Sequence, residues 1–271
     1  MVTSLKNYLQ KNKPIMKYSI LWGMCILGFI ISIVYTLYSS NYAYWFFAYL
    51  YTRIMLLFAN PIGLHRYFSH RSFNTGSKRH KFLAWISILA GSGSPYTWAM
   101  HHRHHHKYSD TPKDLHSPRE NAWRSGLGLW AIMPATWWTD IKEVHTIPRD
   151  LYKDSTVMFI HNHYYKIWSA ILTVSLLAGG WKFTVFYVLA PVGWNLMHGA
   201  LTNCVNHQEL IGSYRNFNTD DFSQNHKWLS LYLLGEGLHN NHHAHPTAYR
   251  FAKTPAEVDF ISKVIEKLLK I

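Results

Sequence analysis

Histidine is the residue type that stands out in this sequence, and its spacing is that of metal ligands. The chain has 271 residues and 19 histidines, and the histidines concentrate in four short motifs. These motifs are HRYFSH at 65–70, HRHHH at 102–106, NCVNH at 203–207 and HNNHH at 239–243. Neutral imidazole is a common ligand for iron, zinc, copper and nickel. The sequence therefore predicts a metal site, although ligand type alone does not select the metal.

The spacing within the motifs predicts which imidazoles share a helix face. Two motifs contain a triplet at i, i+3 and i+4, namely His102, His105 and His106, and then His239, His242 and His243. Each triplet would place three imidazoles on one face of a helix, as would the i, i+4 pair Asn203 and His207. His65 and His70 are five residues apart, about 140° around an ideal helix. We therefore expect this pair to diverge and to reach two neighbouring metals.

Nine candidate histidines exceed the coordination number of one ion and suit two. The only cysteines, Cys25 and Cys204, cannot supply an iron–sulfur cluster or a disulfide framework. A labile histidine-rich tract, such as a membrane metal transporter uses, is the alternative interpretation. The repetition of one triplet about 135 residues further along the chain favours a built site.

Long apolar segments must position these motifs. Residues 18–38 contain no charged side chain, and a bilayer core requires about 20 apolar residues in a helix. We predict four membrane spans in two helical hairpins, at about 18–38, 42–62, 167–181 and 183–205. The segments that follow the second and the fourth span, 63–166 and 206–271, carry most of the histidines. The chain 1–271 is predicted to form one domain.

Two further apolar segments are predicted to lie at the membrane interface or under the site. The sequence GSGSP at 91–95 interrupts segment 82–98 and would break a spanning helix. Segment 122–138 combines glycine, proline and four tryptophans, which is typical of an amphipathic interfacial segment.

The positive charge of the chain predicts its orientation. The net charge is +13, from 27 Lys and Arg against 14 Asp and Glu. On the predicted layout nearly all basic residues fall on one side, so both termini and both long polar segments are predicted to be cytoplasmic. No separate basic domain is left for nucleic acid. Arg53, inside the second span, is expected either to snorkel or pair within the bundle, or to form a polar wall of a substrate channel.

The histidine motifs resemble those of the integral-membrane fatty acyl desaturases, the family that includes stearoyl-CoA desaturases and bacterial acyl desaturases of the delta-9 type. The segments that carry the resemblance are GLHRYFSHRSF at 63–73, HRHHHKYSD at 102–110, NCVNH at 203–207 and GEGLHNNHH at 235–243. It extends from about residue 42 to about residue 251. It implies an all-α membrane protein with four transmembrane helices, a cytoplasmic helical cap and a bent apolar tunnel for an acyl chain.

The resemblance also implies two iron ions and their ligands. The implied ligands are His65, His70, His102, His105, His106, His207, His239, His242 and His243, with Asn203 approaching a metal through water. His101 and His104 are interpreted as neighbours of the site, and the role of His198 is left open. Among nearby carboxylates, which include Asp110, Asp114 and Glu209, we predict that Glu236 orients a ligand imidazole. A helix-start role for Glu236 is the alternative.

The implied activity is the introduction of a cis double bond into a saturated acyl chain, carried by CoA or by a lipid. Unactivated methylenes are too weakly acidic for side-chain acid–base chemistry, so dioxygen and two electrons are required. The sequence shows no signature of a fused electron-transfer domain, and an external ferredoxin or cytochrome b5-type donor is expected. A bacterial plasma membrane is the expected location, or the endoplasmic reticulum in a eukaryote. A lipid hydroxylase on the same scaffold and a metal transporter are the alternatives.

Overall fold

The computed structural model describes residues 13–114 and 147–271, and these residues are mostly helical. The membrane-side helices and their continuations are, in chain order, α1 (Lys13–Ser39), α2 (Tyr42–Leu57), a π-helix (Phe58–Ser69), α3 (Ser77–Ile86), a 3₁₀ turn (Ser87–Ala90), α4 (Pro95–Tyr108), α5 (Arg149–Tyr152), α6 (Ser155–Phe183), a second π-helix (Thr184–Leu189) and α7 (Ala190–Asn206). The remaining elements are β1 (Ser213–Tyr214), β2 (Asn225–His226), α8 (Lys227–Tyr232), α9 (His239–Ala244), α10 (Phe260–Val264) and a third π-helix (Ile265–Leu269). The predicted interfacial segment 122–138 lies outside the described residues.

Three helical segments among the described residues are long and apolar enough to cross a membrane. They are Ile20–Ser39, Tyr42–Ser69 and Ser155–Asn206. The third has 52 residues because α6 passes through the second π-helix into α7. Within α6, Gly180 has the non-helical φ of 70° and ψ of −179°, at the place where the sequence predicts a turn. The four spans in two hairpins remain a prediction.

Two helices extend beyond the apolar runs that predict them. α6 begins at Ser155, well before residue 167, because Asp154 caps it by accepting hydrogen bonds from the backbone N–H groups of Thr156 and Val157. Its first turns also bury Val157 and Ile160 against the main core. α2 continues past residue 62 as the first π-helix, which contains Pro61 and carries the chain to Ser69.

The break in segment 82–98 aims α4 toward the site. Gly91 adopts the left-handed conformation, with φ of 69°, and its carbonyl oxygen accepts a 2.6 Å hydrogen bond from the buried Trp22 indole of α1. Ser94 then caps α4 by accepting a hydrogen bond from the N–H of Thr97. The predicted interruption of this segment is present, and it fixes the start of the helix that carries His102.

The segments after α7 form a cap that includes one short antiparallel ladder, β1 with β2, so the structure is not purely α-helical. α9 has only six residues, too few to be stable alone. Buried asparagine side chains hold it in place. Asn240 Oδ1 accepts hydrogen bonds from the backbone N–H groups of Asn216 and Phe217, and Asn241 Oδ1 accepts one from the side-chain amide of Asn225. These contacts fix the orientation of the last histidine motif.

Candidate metal centre

The nine predicted histidines converge from four parts of the fold into two adjacent groups. The first, the five-histidine group, contains His65, His70, His102, His106 and His242, and the second, the four-histidine group, contains His105, His207, His239 and His243. Within each group the candidate ligand nitrogens all lie within 4.8 Å of one another. The groups touch where the rings of His106 and His243 are 4.3 Å apart. Their role as metal ligands remains a proposal.

Ring nitrogens approach one another closely inside each group. In the five-histidine group, the Nε2–Nε2 separations are 2.8 Å for His70–His102, 3.1 Å for His102–His106, 2.9 Å for His106–His242 and 2.9 Å for His242–His65. In the four-histidine group, His239 Nε2 is 3.1 Å from the Nε2 atoms of both His207 and His243. The imidazole edges therefore point at two small central volumes.

The expectation that His65 and His70 diverge is wrong, since both belong to the five-histidine group. They lie in and just after a π-helix, where backbone hydrogen bonds join residues five apart. The N–H of His70 indeed donates to the carbonyl oxygen of His65, at 3.2 Å. An α-helical angle does not apply to this segment, and five-residue spacing brings the two rings within 5.0 Å.

Each helical triplet is divided between the two groups. His102 and His106, one turn apart on α4, face the five-histidine group, whereas His105 faces the other. On α9, His239 and His243 belong to the four-histidine group and His242 to the five-histidine group. The i, i+4 members of each triplet stay together and the remaining member crosses over, so each helix contributes to both groups.

Carboxylates hold four of the imidazoles from behind. The Nδ1–H groups of His65, His105, His207 and His243 donate to Glu236, Asp114, Asp110 and Asp221, at 2.5, 2.9, 2.8 and 2.5 Å respectively. Glu236 lies behind an imidazole, as predicted, and Asp110 and Asp114 do the same for two others. Glu209 is exposed.

Asp221 is the one residue of this set that the sequence reasoning missed. It lies 22 residues before His243, in the loop that leads to β2, so no helical spacing relates the two residues. Its Oδ1 accepts hydrogen bonds from the Thr219 hydroxyl and from the N–H and hydroxyl of Ser223, which fixes Oδ2 toward His243. The only local signal is the polar sequence NTDDFS at 218–223.

Glu236 is itself held by a buried arginine. Arg66 is fully buried, and its guanidinium donates to Glu236 Oε1 at 2.8 and 3.0 Å. It also donates to both carboxylate oxygens of Asp259 at 3.1 Å. The Phe251 ring lies 3.7 Å from the guanidinium carbon. This network joins the first π-helix to the start of α10 and fixes the carboxylate behind His65.

Burial sets the charge state of the site. It lowers the pKa of His70, His106, His239 and His242 well below the ordinary value, and neighbouring imidazoles add to the effect. It lowers the pKa of His243 to about 4, although Asp221 opposes this. For His105, burial also lowers the pKa, but the carboxylates of Asp114, Asp110 and Asp221 together outweigh it and the net shift is upward. Burial would raise the pKa of Asp221, yet the hydrogen bond from His243 holds it below its usual range.

With these contacts, the imidazole nitrogens of the two groups are suited to bind two cations. An imidazole that donates its Nδ1–H to a carboxylate presents a lone pair at Nε2. Such lone pairs face other ring nitrogens across about 3 Å in both groups. A divalent transition metal between two such nitrogens would accept a lone pair from each ring. The residues present therefore suit a pair of nitrogen-bound metal ions.

Asn203 and three histidines outside the two groups lie near the site. Asn203 lies one turn before His207 on α7 and borders the cavity described next. His104 is buried, with Nε2 2.9 Å from the carbonyl oxygen of Lys113, and His101 is buried with its pKa lowered by burial to about 3. His198 stacks on Trp194, with ring centroids 5.5 Å apart. His101, His104 and His198 belong to neither histidine group.

A cavity of about 220 Å³ borders both histidine groups. His65 and His102 line it from the first group, and His105 and His239 from the second. Most of its other lining is apolar and comes from α2, the first π-helix, α7 and the segment after α8. Trp98, which stacks on His102 at 4.6 Å, forms part of the wall. Arg53 lines the cavity as well and pairs within the protein, donating to the carbonyl oxygen of Tyr232 at 2.7 Å.

Comparisons of the sequence with protein families and with individual proteins both find desaturases. The fatty acid desaturase family model matches residues 39–256. An sn-1 stearoyl-lipid 9-desaturase of Anabaena variabilis is 32% identical over 76% of this chain and 74% of its own length, and one of Synechocystis is 31% identical over 76% and 63%. An acyl-CoA 5-desaturase of Anemone leveillei is 29% identical over 83% of this chain and 70% of its own length.

Proposed function

The chain belongs to the fatty acid desaturase family, and we propose that it introduces a cis double bond into a saturated acyl chain at a diiron centre. It is an oxygen-dependent fatty acyl desaturase, an oxidoreductase of lipid metabolism. The proposed carrier of the chain is CoA or a membrane lipid, because relatives of both kinds match. A hydroxylase on the same scaffold is not favoured, since these relatives are named desaturases.

The observation that carries the proposal is the convergence of nine imidazoles into two adjacent groups at one wall of an apolar cavity. The nine histidines are the proposed ligands, and Asn203 is the proposed contact through water. Two iron ions, when bound, would supply the oxygen-dependent oxidation that removes hydrogen from unactivated methylenes.

The residues of the chain have three tasks in this proposal. The imidazoles hold the metals, and the carboxylates of Asp110, Asp114, Asp221 and Glu236 fix the rings and their protons. The cavity walls exclude water and place one pair of methylenes beside the histidines, so that position along the chain is a matter of geometry. Trp98 lines the cavity beside His102 and stacks on its ring.

The finer topology is part of the proposal. Four transmembrane helices in two hairpins would divide the Ser155–Asn206 segment at Gly180, where its backbone leaves the helical conformation. The cap and both termini would be cytoplasmic, in a bacterial plasma membrane, by the distribution of basic residues. An external ferredoxin or cytochrome b5-type protein would deliver the electrons to the cytoplasmic side.

The test is a fatty-acid profile, with double-bond localisation by mass spectrometry, of a host that expresses the intact protein. His105→Ala removes a buried member of the four-histidine group, and His163→Ala is the matched control because His163, half-buried on α6, belongs to neither group. We expect a new monoene with the intact protein and with His163→Ala, and none with His105→Ala. Hydroxy acids in place of a monoene would contradict the reaction class, and zinc instead of iron in an inactive protein would contradict the diiron assignment.

A further inference from the structure

One helix of the cap turns apolar side chains away from the core. Trp228, Leu231 and Tyr232 of α8 are 56%, 65% and 40% exposed. They stand at i, i+3 and i+4, so they form one stripe on the helix. Leu229 and Ser230 are buried on the other side of the same helix. Exposed aromatic and leucine side chains on one helix face are typical of contact with a membrane interface.

This stripe continues an apolar row on the second membrane-spanning segment. Phe47, Leu50 and Ile54 of α2 are 61%, 45% and 56% exposed and stand at i, i+3 and i+7. Arg53, next to Ile54, joins the two helices. Its Nη2 donates to the carbonyl oxygen of Tyr232, and its guanidinium carbon is 5.2 Å from the centre of the Tyr232 ring. The outward apolar surfaces of α2 and α8 therefore meet at Arg53.

The guanidinium of Arg53, at the end of a long side chain, would reach the level at which the hydrocarbon layer ends. A guanidinium in the bilayer centre is costly, whereas one near the interface reaches polar groups with its long side chain. The bond from Arg53 to Tyr232 ties that level to α8. On that level α8 would lie in the interface, with the exposed Trp228 and Leu231 toward lipid.

The cavity borders the same junction. Arg53, Leu56 and Leu57 line it along α2, and Leu233 and Leu234 line it directly after α8. Arg53 is half-buried, and Gly199 of α7, which is exposed, also borders the cavity. Leu233 and Leu234 are thus the part of the cavity wall that lies beside this junction.

We propose that the junction of α2 and α8 is a lateral portal, through which the acyl chain of a bilayer lipid enters the cavity. The inference rests on the proposed function and deepens it, because it selects a membrane lipid over a water-soluble acyl thioester as the carrier. A lipid would reach this portal by diffusion within the leaflet, and only its acyl chain would have to pass beside the contact of Arg53 with α8.

The first test measures where α8 lies. Leu231→Cys, in a Cys204→Ser background, is labelled with a fluorophore in phosphatidylcholine vesicles that contain lipids spin-labelled near the headgroup. Lys253→Cys is the control because Lys253 is an exposed cap residue. We expect lipid quenching several-fold stronger at residue 231 than at residue 253. Equal quenching at the two positions would overturn the proposal. The same holds if neither lipid-soluble nor water-soluble quenchers reach residue 231 because a second copy of the protein covers it.

The second test separates the two carriers. The intact protein is placed in nanodiscs with reduced ferredoxin and receives either saturated phosphatidylcholine in the disc or stearoyl-CoA in the water. We expect monoene from the disc lipid, and a several-fold lower initial rate with Leu231→Asp than with Leu268→Asp, which changes another exposed leucine. Product from stearoyl-CoA alone would overturn the portal and leave the proposed function standing. Product from neither carrier would contradict the proposed function, and the portal with it.

Discussion

At the scale of single residues, four carboxylates decide which ring nitrogen of their histidine faces the proposed metals. A neutral imidazole carries its proton on one nitrogen only, and a carboxylate behind Nδ1 keeps that proton there. The four-histidine group receives three of these carboxylates, Asp110, Asp114 and Asp221, whereas the five-histidine group receives Glu236. The two proposed metal sites therefore differ in negative charge around them, although their ligands are chemically alike.

Asp221→Asn is expected to weaken one metal site selectively. The substitution removes the charge that holds the Nδ1–H of His243, and loss of such a partner costs about 10–100-fold in metal affinity. Iron per chain, measured by atomic emission after dialysis against a weak chelator, should fall from about two toward about one.

The control for this experiment is Asp220→Asn, which makes the same change at the neighbouring exposed position. It should leave the iron content unchanged. Equal iron in the Asp221→Asn and Asp220→Asn proteins would show that Asp221 has no part in holding the metal.

At the scale of elements, the approach of α7 to α1 determines where His207 lies. A Cβ atom on Gly193 would collide with the backbone carbonyl of Cys25, and it would come within 2.8 Å of Phe29 Cβ. The backbone of α1 thus fills the space that a side chain at Gly193 of α7 would need. Because α7 leads directly to Asn203 and His207, this contact anchors the helix that supplies them.

Gly193→Ala should destabilise the protein. Overpacking in a close contact costs about 1–3 kcal/mol, because one of the helices has to move. Gly23→Ala is the matched control, since a Cβ at Gly23 in α1 has no neighbour within 4 Å. It should be neutral, or stabilising by up to about 1 kcal/mol through the gain in helix propensity. Thermal unfolding in detergent compares them, and equal melting temperatures would contradict the packing argument.

The elements also show where sequence reasoning succeeds and where it fails. The glycine and serine residues at 91–94 predict a helix break that is present, because Gly91 needs a left-handed conformation. The π-helix at 58–69 was not predicted, since no spacing rule separates it from an α-helix, and His65 and His70 were misplaced as a result. The start of α6 was missed because its first turns are amphipathic and not continuously apolar.

At the scale of the whole molecule, motifs far apart in sequence were correctly predicted to meet. Their residue types carried that prediction, because nine imidazoles have few uses other than metal binding. The pairing within the site was beyond the sequence: the division of His239, His242 and His243 between two groups depends on how α9 docks against α4 and α7. Asp221 was missed for the same reason, since only the folded loop brings it to His243.

If the nine converging imidazoles bind metal as proposed, the stability of the fold will depend on metal. Without a cation, ring nitrogens about 3 Å apart can share only one proton between each two, and the rings have also lost contact with water. A metal that binds only the folded chain stabilises it by about 2.7 kcal/mol at a concentration 100 times its dissociation constant.

Chelation should therefore lower the melting temperature of the intact protein, and ferrous iron added without oxygen should restore it. His242→Ala, which removes a proposed ligand that faces both His65 and His106, should shrink the metal-dependent shift. His163→Ala should leave the shift at its full size, because its ring lies outside both groups and bonds to the carbonyl oxygen of Phe159. A melting temperature that is the same with and without iron would mean that hydrogen bonds alone hold the nine rings together, and the two groups would then be a packing feature instead of a metal centre.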